Sequence, residues 1–128
     1  TIKHNVSIFD GITIGNNVFI ASNIAFINDR FPRANRNDGC DFEKTYVQDG
    51  ATLGANAVIL CGIRIGSYAM IGAGAVVTHD VEDHALMVGN PAKKRGYVCE
   101  CGLVLSEALV CSCGRTYRKE EKGLTLNA

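Results

Sequence analysis

Residues 47–81 repeat one six-residue phrase. Read in sixes they run Val47-Gln-Asp-Gly-Ala-Thr, Leu53-Gly-Ala-Asn-Ala-Val, Ile59-Leu-Cys-Gly-Ile-Arg, Ile65-Gly-Ser-Tyr-Ala-Met, Ile71-Gly-Ala-Gly-Ala-Val and Val77-Thr-His-Asp-Val-Glu. The first position is always aliphatic, and the fifth is Ala, Ile or Val. A helix asks for apolar spacings of three and four, and a plain strand for unbroken alternation. This ladder alternates for one short strand, turns and starts again. The fourth position explains the turn. It holds Gly50, Asn56, Gly62, Tyr68, Gly74 and Asp80, and Gly, Asn and Asp are the residues that tolerate positive φ. Tyr68 is the misfit. A flat strand, a corner and another strand, stacked about 4.8 Å above the layer below, predict an all-β chain wound as a parallel β-helix.

The phrase is already running at the N-terminal end. Ile2, Ile8, Ile14, Ile20 and Phe26 are six apart, with Val6, Ile12, Val18 and Ile24 at the fifth positions and Asn5, Gly11, Asn17 and Asn23 at the turns. From Phe26 to Val47 the step is 21, not a multiple of six, so the chain must leave the helix and return, giving a loop at 27–46. A long loop on a strict scaffold is more often functional than idle. Arg30, Arg33 and Arg36 lie in it, and guanidinium groups suit a diphosphate or a carboxylate in bidentate fashion. The alternative is a solvated loop whose arginines meet only water. After residue 81 the repeat ends. Residues 83–92 are expected to form an outgoing strand and turn that close the top of the helix, followed at once by Lys93-Lys94-Arg95.

These hexads, with their Ile-Gly openings and the closing Val-Gly-Asn-Pro-Ala at 88–92, resemble the hexapeptide-repeat acyltransferases over residues 2–97. The resemblance implies a left-handed triangular β-helix, contrary to the usual crossover hand. Three hexads would then make one coil, with Ile2 under Ile20 and Ile8 under Phe26. It also implies a homotrimer with sites between subunits and acetyl-CoA as co-substrate. Ala73 and Gly74 would wall the pantetheine groove, and Lys93 and Lys94 would meet the coenzyme's phosphates. Such proteins usually carry further coils upstream, so the chain is expected to be a fragment or a short form that lacks part of the site.

Asn28-Asp29-Arg30 followed by Pro32-Arg33-Ala34 resembles the active-site loop of a narrower group, the N-acetyltransferases of nucleotide-linked amino sugars. The closest likeness is to those acting on UDP-2-acetamido-3-amino-2,3-dideoxy-glucuronate. It implies that Asn28 and Asp29 are catalytic, orienting the amine, and that Arg30, Arg33 and Arg36 bind substrate. Many O-acetyltransferases of the family use a histidine base. This chain has only His4, His79 and His84, none of them in the loop, which favours N-acylation.

The tail at 97–128 has another vocabulary. Cys99-Glu-Cys101-Gly and Cys111-Ser-Cys113-Gly flank an apolar stretch. Four thiolates satisfy tetrahedral Zn²⁺, and the glycine after each pair permits a tight turn. The alternatives are two disulfides or four free thiols. With no signal peptide at its start the chain is expected to be cytoplasmic, where disulfides rarely persist, and a structural zinc ribbon is the expectation. Cys40 falls in the loop, and Cys61 at a third hexad position, expected to face outward at a corner.

Thirteen basic and thirteen acidic residues cancel, so charge gives no reason to expect a nucleic-acid or membrane partner. The function expected is acetyl transfer from acetyl-CoA to the amine of a nucleotide sugar, with the β-helix at 1–96. A γ-type carbonic anhydrase on the same fold would need three clustered histidines. The non-catalytic alternative is a trimeric scaffold or fragment with a zinc-ribbon interaction module.

Overall fold

The computed structural model describes residues 1–35 and 43–128. Its first nine strands are two or three residues long: β1 (Ile12–Ile14), β2 (Phe19–Ile20), β3 (Ala25–Phe26), β4 (Thr45–Val47), β5 (Thr52–Leu53), β6 (Val58–Ile59), β7 (Arg64–Ile65), β8 (Met70–Ile71) and β9 (Val76–Val77). They sort in rotation onto three parallel walls, β1-β4-β7, β2-β5-β8 and β3-β6-β9. Leu53 stands opposite Ile71 and Ile59 opposite Val77, so one coil takes three hexads. Alternation within each strand sends the first-position side chain inward and its neighbour outward. Ile20, Leu53, Ile59, Ile65, Ile71 and Val77 are therefore fully buried, while Phe19, Tyr46 and Ala25 face out. Fifth-position Ala51, Ala57, Ala69 and Ala75 are buried too, small enough for the narrowing corners. Each buried aliphatic side chain contributes about 1.5–3 kcal/mol.

The corners bear out the turn reading. Asn5, Asn17, Asn23 and Asn56 adopt φ between 56° and 64°, and Gly11, Gly50, Gly62 and Gly74 are also left-handed. Tyr68 holds φ 57° despite its size. Its ring lies over Gly50, where a Cβ would come within 2.4 Å of it, and it stacks on His84 with centroids 5.3 Å apart. Asp80 departs from the expected turn. It is not in the left-handed region, because Val81 pairs with Ile65, sixteen residues before it instead of eighteen. The last hexad is thus two residues short, and Val81 takes a first-position place in the core. The Asp80 carboxylate accepts the Arg64 backbone N–H at 2.9 Å.

The loop is where expected. Phe26 pairs in register with Ile59, 33 residues on, where the coils above advance by eighteen, so fifteen residues leave the ladder. They rejoin at Thr45, whose backbone N–H reaches the Gly11 carbonyl at 2.8 Å.

At the upper end β10 (Ala85–Val88) adds in parallel to β8. The chain then turns through a cis Asn90–Pro91 bond, and β11 (Lys93–Tyr97) returns antiparallel. The expected outgoing strand and turn are there. Beyond them come two small bridged loops, Val98 with Val104 and Val110 with Thr116, and a hairpin of β12 (Tyr117–Glu120) and β13 (Gly123–Leu126). The hairpin sits on the coil below it. Asp83 N–H donates to the Lys122 carbonyl at 2.8 Å, and Leu124 N–H to the Asp83 carbonyl at 3.2 Å. A Cβ on Gly123 would meet that carbonyl oxygen at 2.5 Å, so only glycine fits. Tyr97 packs against both the coil core and a second core of Cys99, Cys111, Tyr117 and Leu124.

Candidate functional site

The extruded loop is tied down at its root. Arg30 donates from Nε to Glu43 Oε2 at 2.6 Å and from Nη2 to Oε1 at 3.0 Å, with a further bond to the Cys61 carbonyl at 3.3 Å. Cys61 Sγ donates to Glu43 Oε2 at 3.3 Å. The Arg30 hydrogen bond, helped by that of Cys61, holds the Glu43 carboxyl below its ordinary range. Burial, then Glu43, pushes the Cys61 thiol up, which makes it a poor nucleophile. Cys61 does not face outward as its hexad position suggested. It is 2% exposed, because the loop folds back and the Arg30–Glu43 pair covers it. Asn28 and Asp29 are half-buried beside this clamp, and Asp29 Oδ1 accepts the Phe31 N–H at 3.0 Å. Arg33 is exposed and donates to the Pro32 carbonyl at 2.9 Å. Arg36 and Cys40 lie outside the described residues. Sequence reasoning missed Glu43, although an acid at the far end of a loop that opens on an arginine was a usable signal.

Ala73 and Gly74 are exposed at a different corner, between β8 and β9, whereas the loop leaves between β3 and β4. Gly74 has φ 72° and open space where a Cβ would stand. Lys93 pairs with Val88, and Val88 is the side chain that a Cβ on Gly72 would strike at 2.8 Å. Lys93 therefore stands two layers above the Gly72–Ala73 corner, with β10 between them. Lys94 turns away to Glu82 Oε1 and the Tyr97 hydroxyl, each at 3.0 Å, while Tyr97 donates to Glu82 Oε2 at 2.8 Å. One chain thus brings Ala73, Gly74 and Lys93 to one corner and Asn28, Asp29, Arg30 and Arg33 to another. His4 and His79 are exposed, as their third-position places predict, and His84 is buried among tyrosines.

The four tail cysteines converge. Their Sγ atoms all lie within 4.8 Å of one another, with Cys99 to Cys113 and Cys101 to Cys111 at 3.6 Å. A tetrahedron with metal–sulfur bonds of about 2.3 Å has edges of about 3.8 Å, so the set fits a thiolate-bound ion. These separations are far beyond a disulfide's ~2.05 Å, and all four are unpaired. Gly102 and Gly114 take φ 95° and 101°, the turn expected after each pair. The Arg115 backbone N–H and then its guanidinium lower the Cys113 thiol to about 6, and the Tyr117 hydroxyl lies 3.2 Å from Cys99 Sγ. Donors aimed at sulfur favour thiolates.

Residues 44–79 match the family of the bacterial transferase hexapeptide (six repeats). The β-helix is of the hexapeptide-repeat family. With it comes the left-handed winding that this family gives its parallel coils. Over 80 residues the chain is 51% identical to the dTDP-3-amino-3,6-dideoxy-alpha-D-galactopyranose 3-N-acetyltransferase of Aneurinibacillus thermoaerophilus, covering 60% of this chain and 42% of that enzyme. Among solved structures, serine acetyltransferase of Neisseria gonorrhoeae matches with a TM-score of 0.57 at 34% identity, over 70% of this chain and 32% of that one. A hexapeptide-repeat acetyltransferase of Vibrio cholerae matches with 0.59 at 28% identity, over 67% and 51%. The chain thus spans about half or less of the length of each of these proteins.

Proposed function

We propose that the chain is the acyl-transfer portion of an acetyl-CoA-dependent N-acetyltransferase acting on a nucleotide-linked amino sugar. The 51% identity over 80 residues to an enzyme named for 3-N-acetylation of a dTDP-linked amino sugar carries this reading. The transfer consists of attack by the neutral amine nitrogen on the thioester carbonyl. The C–S bond then breaks, coenzyme A leaves as the thiol, and one amine proton is lost. Positioning an amine within about 3–3.5 Å of that carbonyl supplies much of the rate. Asn28 and Asp29 orient the amine, and Arg33 and Arg36 meet the nucleotide sugar's phosphates. Arg30 joins them only by leaving Glu43. Ala73 and Gly74 admit the pantetheine arm, and Lys93, with Lys94 behind it, meets the coenzyme's phosphates. The loop and the Ala73 corner come from different edges of one chain, so the site is completed between subunits of a homotrimer. The wall of Ala25, Val58 and Val76 on β3-β6-β9 is flat and uncharged enough to serve as a contact. In the same reading Cys99, Cys101, Cys111 and Cys113 hold a structural zinc with no open position, in a reducing, cytoplasmic setting.

The test is coenzyme A release with a panel of dTDP- and UDP-linked amino sugars, on this chain and on a longer version with upstream coils. Asn28→Ala should lower turnover more than acetyl-CoA affinity. Replacing Lys93 and Lys94 together should weaken acetyl-CoA binding by ~1–3 kcal/mol. Silence of both versions on every sugar, or sedimentation as a stable monomer, would leave the trimeric enzyme without support.

A further inference from the structure

Among the described residues the buried polar side chains other than tyrosine and cysteine are Thr45 and His84, and His84 lies outside the proposed transfer site. It stands at the corner above Tyr68, in a left-handed conformation of φ 64° that costs a non-glycine residue free energy unless contacts hold it there. Three contacts do. Its ring stacks on Tyr68 with an interplanar angle of 22°, and tilts against Tyr117 with centroids 4.8 Å apart. Its Nδ1 lies 2.8 Å from the Val98 carbonyl oxygen, and the Val98 N–H donates to the His84 carbonyl at 2.8 Å. Tyr117 in turn reaches Cys99 Sγ with its hydroxyl, which also accepts the Glu100 N–H at 3.0 Å. Four side chains, Cys99, Tyr117, His84 and Tyr68, therefore run without a gap from the thiolate cluster to the coil.

The two cysteine loops of the tail have little else to hold their shape. They are closed by isolated bridges, and Leu103, Val104 and Val110 are exposed. A module of this size without a sufficient core folds on its metal. We propose that metal binding by the four cysteines locks the cap of the β-helix. The filled cluster fixes Tyr117 against His84, and His84 holds β10 and β11, with Lys93, on the upper coil. This rests on the metal reading given above, which says only that the four cysteines hold a structural ion. The lock adds that the coil's own last layers depend on it.

The test uses the full chain loaded with zinc, metal content measured by elemental analysis, and hydrogen exchange followed peptide by peptide. Removing the metal with a chelator should speed exchange across residues 83–97 by about tenfold or more, as expected when a local unit opens. Residues 47–65 should stay protected. His84→Ala should keep its zinc and show the same faster exchange at 83–97. Tyr117→Phe, which keeps the ring but loses the hydroxyl, should show a smaller change and serves should His84→Ala not fold. Stoichiometric zinc whose removal leaves 83–97 unchanged would overturn the lock and spare the metal site. Loss of protection in the chelated protein but not in either variant would overturn the route through His84. A chain that binds no zinc would overturn both readings.

Discussion

The two ends of the β-helix differ although one repeat builds both. At the lower end first-position Ile2 and Ile8 are 53% and 41% exposed, in the layer next to Val18, Ile20 and Ile24. At the upper end Val81 and Ala85 are 1% and 0% exposed, covered by β11 and the cysteine-rich hairpin. A solenoid buries its core only between neighbours, so each end needs a layer of other chemistry. Here the cap is made of residues that break the hexad rule: a shortened last hexad, a buried histidine and a tail with its own small core. The ladder's strength therefore depends on where along it a residue stands as well as on which hexad position it holds.

The largest test of that contrast compares first-position residues. Ile71→Ala, near the capped end, should cost ~2–5 kcal/mol because its cavity cannot collapse. Ile8→Ala, at the open end, should cost less than about 1 kcal/mol. Urea unfolding of both variants measures the difference, and equal losses would show that the lower end is covered too.

A smaller effect separates two glycines of nearly equal φ. Gly50→Ala combines a left-handed backbone at φ 74° with a Cβ driven to 2.4 Å from the Tyr68 ring, and should cost ~1–3 kcal/mol. Gly74→Ala, at φ 72° with open space around it, should cost only about 1 kcal/mol of backbone strain. Thermal unfolding with the two curves superimposed would remove Tyr68 from the support of the upper end.

The smallest concerns the loop clamp. Glu43 has a folded pKa below its ordinary value, so the clamp's contribution is complete above the ordinary carboxylate range. It is lost as pH falls from that range through the depressed folded pKa. Proteolysis within residues 27–35 should therefore accelerate on acidification, and less so in high salt, since the pair is exposed and screened. Glu43→Gln should be cut fast at every pH. A pH-independent wild type would mean that the clamp does not close the loop.

The amino-acid sequence by itself determined the ladder, the left-handed corners at Asn and Gly, the point where the loop leaves, and the two cysteine knuckles. Each of these is set by neighbours along the chain and announced several times, so a period or a spacing reveals it. Tertiary structure alone decided the rest. Arg30 meets Glu43 and the Cys61 carbonyl 13 and 31 residues away, which turns an apparent surface cysteine into a buried one. Val81 slips into the core two residues early, and Asp80 loses its turn. His84 joins Tyr68 to Tyr117 across sixteen and thirty-three positions. Tyr68 did stand out as the wrong residue for a corner, but its partners could not be named. The physical reason is that these contacts occur once, between residues far apart, and each depends on how a break in the repeat folds back onto it. A periodic rule carries no information about where its own exceptions land.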